Sequence, residues 1–167
     1  MPNRPSSRTA DEAATSTQAI ESFRGEYRFL SNFYPAEVVF EGITFPTCEH
    51  AYQAAKTLDS GERRSIAALA TPSEAKRAGR ELSLRADWDR VKLLVMEECV
   101  RDKFTRNPAL RDRLLATGKA RLIEGNVWGD TFWGVCDGRG ENHLGCILMK
   151  VRAELSAASK PGRFERP

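Results

Sequence analysis

Four side chains in the segment PTCEHAYQAAK, residues 46–56, carry groups that could act together on one substrate. Glu49, Tyr52, Gln53 and Lys56 stand at i, i+3, i+4 and i+7. A helix through them stacks a carboxylate, a phenol, an amide and an amine on one face. Ala51, Ala54, Ala55 and Leu58 fall on the opposite face. Glu49 and Lys56 are separated by roughly 10.5 Å of helical rise, too far for a simple ion pair and wide enough to bracket a sugar. Free N–H groups in the first helical turn favour an ionised carboxylate, so Glu49 is expected to serve as a base or electrostatic stabiliser rather than a general acid. The wet face of an ordinary amphipathic helix shows the same pattern, and a lysine is nucleophilic only when neutral. Spacing alone leaves both readings open.

A second group of polar residues lies in DTFWGVCDGRGENHLG, residues 130–145. Asp130, Trp133, Asp137 and Asn142 stand there among Gly134, Gly138, Gly140 and Gly145. Glycine-rich backbone entering a helix is a general anion-binding device, and it is equally a run of tight turns. It is not the dinucleotide fingerprint, because His143 occupies the place of the third glycine of GxGxxG. Trp128, Phe132 and Trp133 beside it could stack a base or form a minor core. Asp87-Trp88 offers a helix cap followed by a packing anchor or a stacking platform. The pairs Arg63-Arg64 and Lys76-Arg77 read as solvated faces that would contact phosphate if they lined the same cleft.

The elements that must position these groups follow from periodicity and punctuation. FRGEYRFLSNFYPAEVVFEGITFP reads as short strands, with a hairpin turning at Glu41-Gly42. TCEHAYQAAKTLD is expected to be helical from the Thr47 cap to near Ser60-Gly61. TPSEAKRAGREL carries Thr71, Pro72 and Glu74 in a capping-box spacing. DWDRVKLLVMEECVRDKFTR is a long helix opened by Asp87, with Val91, Leu94, Val95, Cys99 and Val100 expected on its inner side. PALRDRLLAT reads as a shorter helix and ARLIEGN as a strand. LGCILMKVRAEL closes the domain as a helix that Asn142 could cap. The sum is an α+β fold: one helix-dominated domain over residues 22–155 with a small β-sheet. Residues 1–21 read as a disordered tail and 156–167 as a flexible one.

The chain has 167 residues, 41% of them hydrophobic and 29% charged, as expected of a folded globular protein. The net charge is +3, and the two tails contribute −1 and +2 of it. The core is then about +2, well short of a dedicated nucleic-acid footprint. Four cysteines without a CxxC pair, and two histidines, argue against a structural zinc site and for reduced, mostly buried thiols. Neither a membrane-length apolar run nor a secretory leader is evident, so a cytoplasmic location and no membrane partner are expected.

Taken in order, FLSNFYP, FPTCEHAYQAAK, DW-x-x-VK-x-x-VM, KFT-x-NP-x-L, LIE, D-x-x-WG, DG-x-G-x-N-x-LG and ILM-x-VR resemble the NADAR (YbiA-like) family. The resemblance runs from about Phe23 to Leu155. It implies a compact helix-rich α+β enzyme that cleaves N-glycosidic bonds to ribose without metal or other cofactor. Its implied substrates are ADP-ribose attached to guanine in nucleic acid, placed there by a toxin, and phosphoribosylamine intermediates of riboflavin synthesis. Residue by residue, it makes Glu49 the catalytic carboxylate and Lys56 an amine forming a transient Schiff base at the anomeric carbon. Asn32, Tyr52, Gln53, Trp88, Asp130, Trp133, Asp137, Gly138, Gly140 and Asn142 match positions implied to bind substrate or frame the pocket. Some relatives carry Asp after the WG pair, where this chain has Val135, a departure from the riboflavin-type pattern. A non-catalytic ADP-ribose or NAD-binding module is the reading from another class.

Overall fold

Helix α4 (Trp88–Arg106) is the axis against which three helices and a strand pack in this computed structural model, which describes residues 18–159. Its buried side carries Trp88, Val95, Met96, Cys99, Val100, Lys103 and Phe104. Leu94, expected inside, is 65% exposed. At 100° per residue the inner arc is centred on Val95, Met96 and Cys99, which turns Leu94 outward. Helix α1 (Cys48–Ala54), α5 (Pro108–Ala116) and α6 (His143–Ala158) pack on α4, together with strand β2 (Val38–Phe40).

Strand β3 (Ile43–Phe45) pairs antiparallel with β2 in the expected hairpin. Glu41 and Gly42 both take positive φ, 44° and 76°, the primed turn that suits strand twist. The residues before it depart from expectation. Gly25–Leu30 forms a 3-10 helix instead of a strand, and its aromatic and aliphatic content serves burial: Phe29 packs edge-on against Phe104 with ring centroids 6.4 Å apart.

The stretch read as one helix from Thr47 to Ser60 divides. Thr47 caps α1 by accepting from the His50 N–H, and the helix ends at Ala54. Asp59 then captures the Glu62 N–H at 2.8 Å and starts α2 (Ser60–Ala67). Leu58 falls in the link and is 67% exposed, so it forms no part of an inner face. Helix α3 (Pro72–Glu81) opens with the capping box that Thr71 and Glu74 foretold. It packs on α1 and α2.

The helix-dominated α+β class holds, and among the described residues the β component is three two-stranded ladders. Strand β1 (Ala19–Ile20) pairs parallel with β4 (Arg121–Leu122), and β5 (Gly125–Asn126) pairs parallel with β6 (Val135–Cys136). The segment ARLIEGN is therefore two strands, broken at Ile123-Glu124. Strand β1 begins inside the stretch read as a tail, with Ile20 buried, and α6 runs on to Ala158. Residues 1–17 and 160–167 of the expected tails lie outside the described residues. Among the described residues no helix is long and apolar enough to cross a membrane.

Candidate active site

A cleft of about 1080 Å³ is walled by α1, α3, the Arg28–Phe33 segment, Glu124 and the Trp128–Trp133 stretch. Every residue of α1 is buried, because α3 and α4 cover it on two sides. Glu49, Tyr52 and Gln53 nevertheless reach the cleft wall, so the polar stripe is not a solvated face. Lys56 lies in the turn just beyond α1 and lines the same cleft.

Glu49 Oε1 accepts from Gln53 Nε2 at 2.8 Å. Burial raises the Glu49 pKa above the ordinary carboxylate value, opposed by the Gln53 hydrogen bond and by Lys76 and Lys56. This corrects the expectation drawn from the helix dipole: desolvation outweighs the first-turn N–H groups, and the neutral form gains ground. Burial also pushes the Tyr52 phenol well above its usual range, so Tyr52 remains a neutral hydroxyl. Lys56 is shifted downward, chiefly by burial and then by Arg80 and Lys76, against the pull of Glu49. Its Nζ donates to the Gly79 carbonyl at 3.4 Å and stands 6.0 Å from the centroid of the Tyr52 ring. A half-buried amine among other cations gains neutral fraction, which is what a nucleophilic lysine needs.

The opposite wall supplies aromatics and more carboxylates. Tyr52 sits between Trp133 and Trp88, with centroids 5.3 and 5.1 Å away. Asp130 uses Oδ1 to accept from the Phe132 and Trp133 N–H groups, which turns the Trp133 segment toward the cleft. Asn126 braces that loop by donating to Asp130 O and accepting from Asp130 N. Arg28 and, from α3 beside α1, Lys76, Arg77 and Arg80 bring positive charge. Asn32 lines the cleft floor, and its turn is pinned from below by Lys103, whose Nζ donates to Ser31 O at 2.9 Å. Burial draws the Lys103 pKa down to about 8.

This site lies within a recognisable sequence neighbourhood. The NADAR domain profile matches residues 20–156. The chain belongs to the NADAR family. The N-glycosidase YbiA of Escherichia coli strain K12 is 40% identical over 134 residues, 78% of this chain and 83% of that protein. A riboflavin biosynthesis protein of Vibrio vulnificus is 42% identical over 130 residues, 76% of this chain but 35% of its own length. The solution structure of E. coli YbiA superposes with a TM-score of 0.75 at 33% identity, covering 90% of this chain and 96% of that one.

In this NADAR chain the residues singled out from sequence part into two groups. Asn32, Glu49, Tyr52, Gln53, Lys56, Asp130 and Trp133 line the one cleft. Trp88 does not; it is buried behind Tyr52 as a packing anchor. Asp137 takes φ 49° outside the cleft, while Gly138 and Gly140 border a separate groove beside Arg24 and Arg121. Asn142 is buried at φ 54° and stands at the N-cap of α6, but its side chain makes no capping bond there. Its Oδ1 accepts from Glu124 N at 3.0 Å and its Nδ2 donates to Leu122 O at 2.9 Å. Of the basic pairs, Lys76-Arg77 lines the cleft. Arg63 is instead committed to Thr57 O and Glu41. Sequence reasoning missed Arg80, Arg28 and Glu124 as cleft residues. Arg80 could have been found, since it lies one turn from Lys76 on the helix that the capping box defines.

Proposed function

We propose that this N-glycosidase removes ADP-ribose from ADP-ribosylated guanine in nucleic acid, with Glu49 and Lys56 at the reacting centre. The observation that carries the reading is that one cleft gathers both signs of charge: the carboxylates Glu49, Glu124 and Asp130 with the cations Arg28, Lys76, Arg77 and Arg80. Departure of a base from ribose builds positive charge at the anomeric carbon, where a carboxylate in a partly desolvated site stabilises it. A diphosphate needs the cations. The volume of about 1080 Å³ lies just above the range of small-molecule sites, roughly 300–1,000 Å³, and suits a ligand as long as ADP-ribose. Trp128, 57% exposed on the rim, offers a stacking face for a base turned out of a strand. The Lys56 amine would add to the anomeric carbon of the opened ribose as a Schiff base, splitting one hard step into two. Reversal of a toxin's modification, with the ADP-ribosylating toxin as partner at the level of the pathway, is the role this chemistry fits.

Incubation with an ADP-ribosylated oligonucleotide tests it. Free ADP-ribose should accumulate, and Lys56→Ala should slow its release by about 100-fold or more. No release, or undiminished release from Lys56→Ala, would overturn the reading. The Vibrio relative's name favours a second reading, cleavage of a phosphoribosylamine intermediate of riboflavin synthesis. Turnover of a ribosylamino-pyrimidine phosphate with none of the oligonucleotide selects that one. Tight binding of ADP-ribose with no turnover of any glycoside selects a binding module.

A further inference from the structure

We propose that Glu124 is a second catalytic carboxylate in this cleft, the general acid that protonates the nitrogen leaving the anomeric carbon. The inference rests on the N-glycosidase reading and adds a residue to it. Glu124 lines the cleft from the break between β4 and β5, across from the helix that carries Glu49. Its Oε2 is buried without a hydrogen-bond partner among the described residues. An ionised carboxylate with a dry, unpaired oxygen is costly, so that geometry favours the neutral acid.

The scaffold around Glu124 fixes the direction of its side chain. Its N–H donates to Asn142 Oδ1, and its carbonyl accepts from Val135 N at 2.9 Å. Gly134 presses on the same residue: a Cβ there would lie 2.1 Å from the Glu124 carbonyl oxygen and 3.0 Å from its Cγ. The glycine of the WG pair therefore leaves room for Glu124. Three of the loop's features, Asn142, Val135 and Gly134, converge on one acid.

The charged groups facing it are Asp130 from the loop, Arg24 from the segment after β1, and Lys76 from α3. Burial first and the Asp130 carboxylate second raise the Glu124 pKa to about 7, against the two cations. Burial raises Glu49 as well, and the two differ in their partners: Gln53 holds one Glu49 oxygen and Lys56 adds to the charge that favours its ionised form, whereas Glu124 Oε2 has no such partner. Two carboxylates with unlike surroundings divide the labour of acid and base.

In the first step the bond between the anomeric carbon and nitrogen breaks, and its electron pair leaves on nitrogen, which takes the Glu124 proton. The new bond comes from the neutral Lys56 amine, whose surplus proton passes to Glu49. The adduct then opens to the Schiff base: the bond from the anomeric carbon to the ring oxygen breaks, and that oxygen takes the Glu49 proton. Water adds to the imine carbon, its hydroxyl staying on the sugar and its remaining proton restoring Glu124. The carbon–nitrogen bond then breaks as the hydroxyl proton passes to the Lys56 nitrogen, which frees the sugar as its aldehyde.

The test compares the full-length protein with Glu124→Gln and Glu124→Asp on two ribosides, after far-UV circular dichroism confirms folding. One riboside releases an amine that needs a proton; the other releases a pyridine, which departs neutral without one. Glu124→Gln should lose about 10²–10⁴-fold on the first and far less on the second. The wild-type kcat/KM on the first should fall as pH rises through about 7, a limb that Glu124→Gln abolishes and Glu124→Asp retains. Equal losses on both ribosides, or an unchanged pH profile, would overturn the acid role while leaving the N-glycosidase reading intact. A wild type inactive on every N-riboside would overturn that reading itself. A ¹³C titration of the Glu124 carboxyl centred near the ordinary value of about 4.3 would overturn the acid role whatever the rates.

Discussion

In helix α1 all seven residues are buried, and the polar side chains Glu49, Tyr52 and Gln53 still form a wall of the cleft. The loop from Val127 to Asn142 divides its polar residues instead. Asp130 stays with the cleft, Asn142 turns back to hold the β4–β5 break, and Asp137 stands apart. A helix delivers several groups to one place because its period is fixed. A loop delivers each group wherever its turns allow, and here Asp137, Gly138, Gly140 and Asn142 all take positive φ. Residues side by side in the sequence thus serve different ends: chemistry at one, scaffolding at the next.

The largest expected effect tests the helix side. Glu49→Gln should lower glycoside cleavage by about 10²–10⁴-fold while ADP-ribose affinity changes within about threefold. Isothermal titration and a product-release assay separate the two. Retained activity would shift the reacting carboxylate from α1 to the loop side. Gly79→Ala probes the same side without touching a reacting group. Its Cβ would meet Gln53 Oε1 at 2.0 Å and Gln53 Cβ at 2.9 Å, so Gln53 must give up Glu49 and α1 and α3 must part slightly. We expect a loss of about tenfold in kcat/KM together with a lower melting temperature, because no rotamer moves the Cβ contact aside. A lower melting temperature with kcat/KM unchanged would mean the glycine serves packing alone.

On the loop side the first consequence is stability. Asn142→Ala strands the Glu124 N–H and the Leu122 carbonyl, and urea unfolding should report a loss of about 1–3 kcal/mol. A change of only a few tenths would remove Asn142 from the scaffold. Asp137→Ala is the smallest: cleavage should stay within about twofold of wild type, because the carboxylate lies outside the cleft. A larger loss would draw that arm of the loop into the site.

How far the sequence announces all this depends on the element. The capping box of α3 and the Glu41-Gly42 turn are local chemistry, and they stand where their residues indicate. The shared face of Glu49, Tyr52 and Gln53 follows from helical period. Its burial does not, since that depends on α3 and α4 arriving from elsewhere in the chain. The aromatic opening was misread because burial of Phe29 and Leu30 in a 3-10 helix uses the same residue types as a strand. Glu124 stands in the LIE segment, yet nothing in its spacing marks it as a cleft residue. A single glutamate between two short strands has no period, and its surroundings come from Asn142, Val135 and Gly134, ten to eighteen residues away.

In the proposed reaction a carboxylate and a partly neutral amine act together on one sugar carbon. Borohydride added to the full-length protein during turnover, followed by peptide mass analysis, would trap that partnership. The expected result is a reduced sugar adduct on Lys56, absent in Lys56→Ala and diminished in Glu49→Gln. Full turnover with no adduct on any lysine, or an adduct on Lys76 in place of Lys56, would contradict the account.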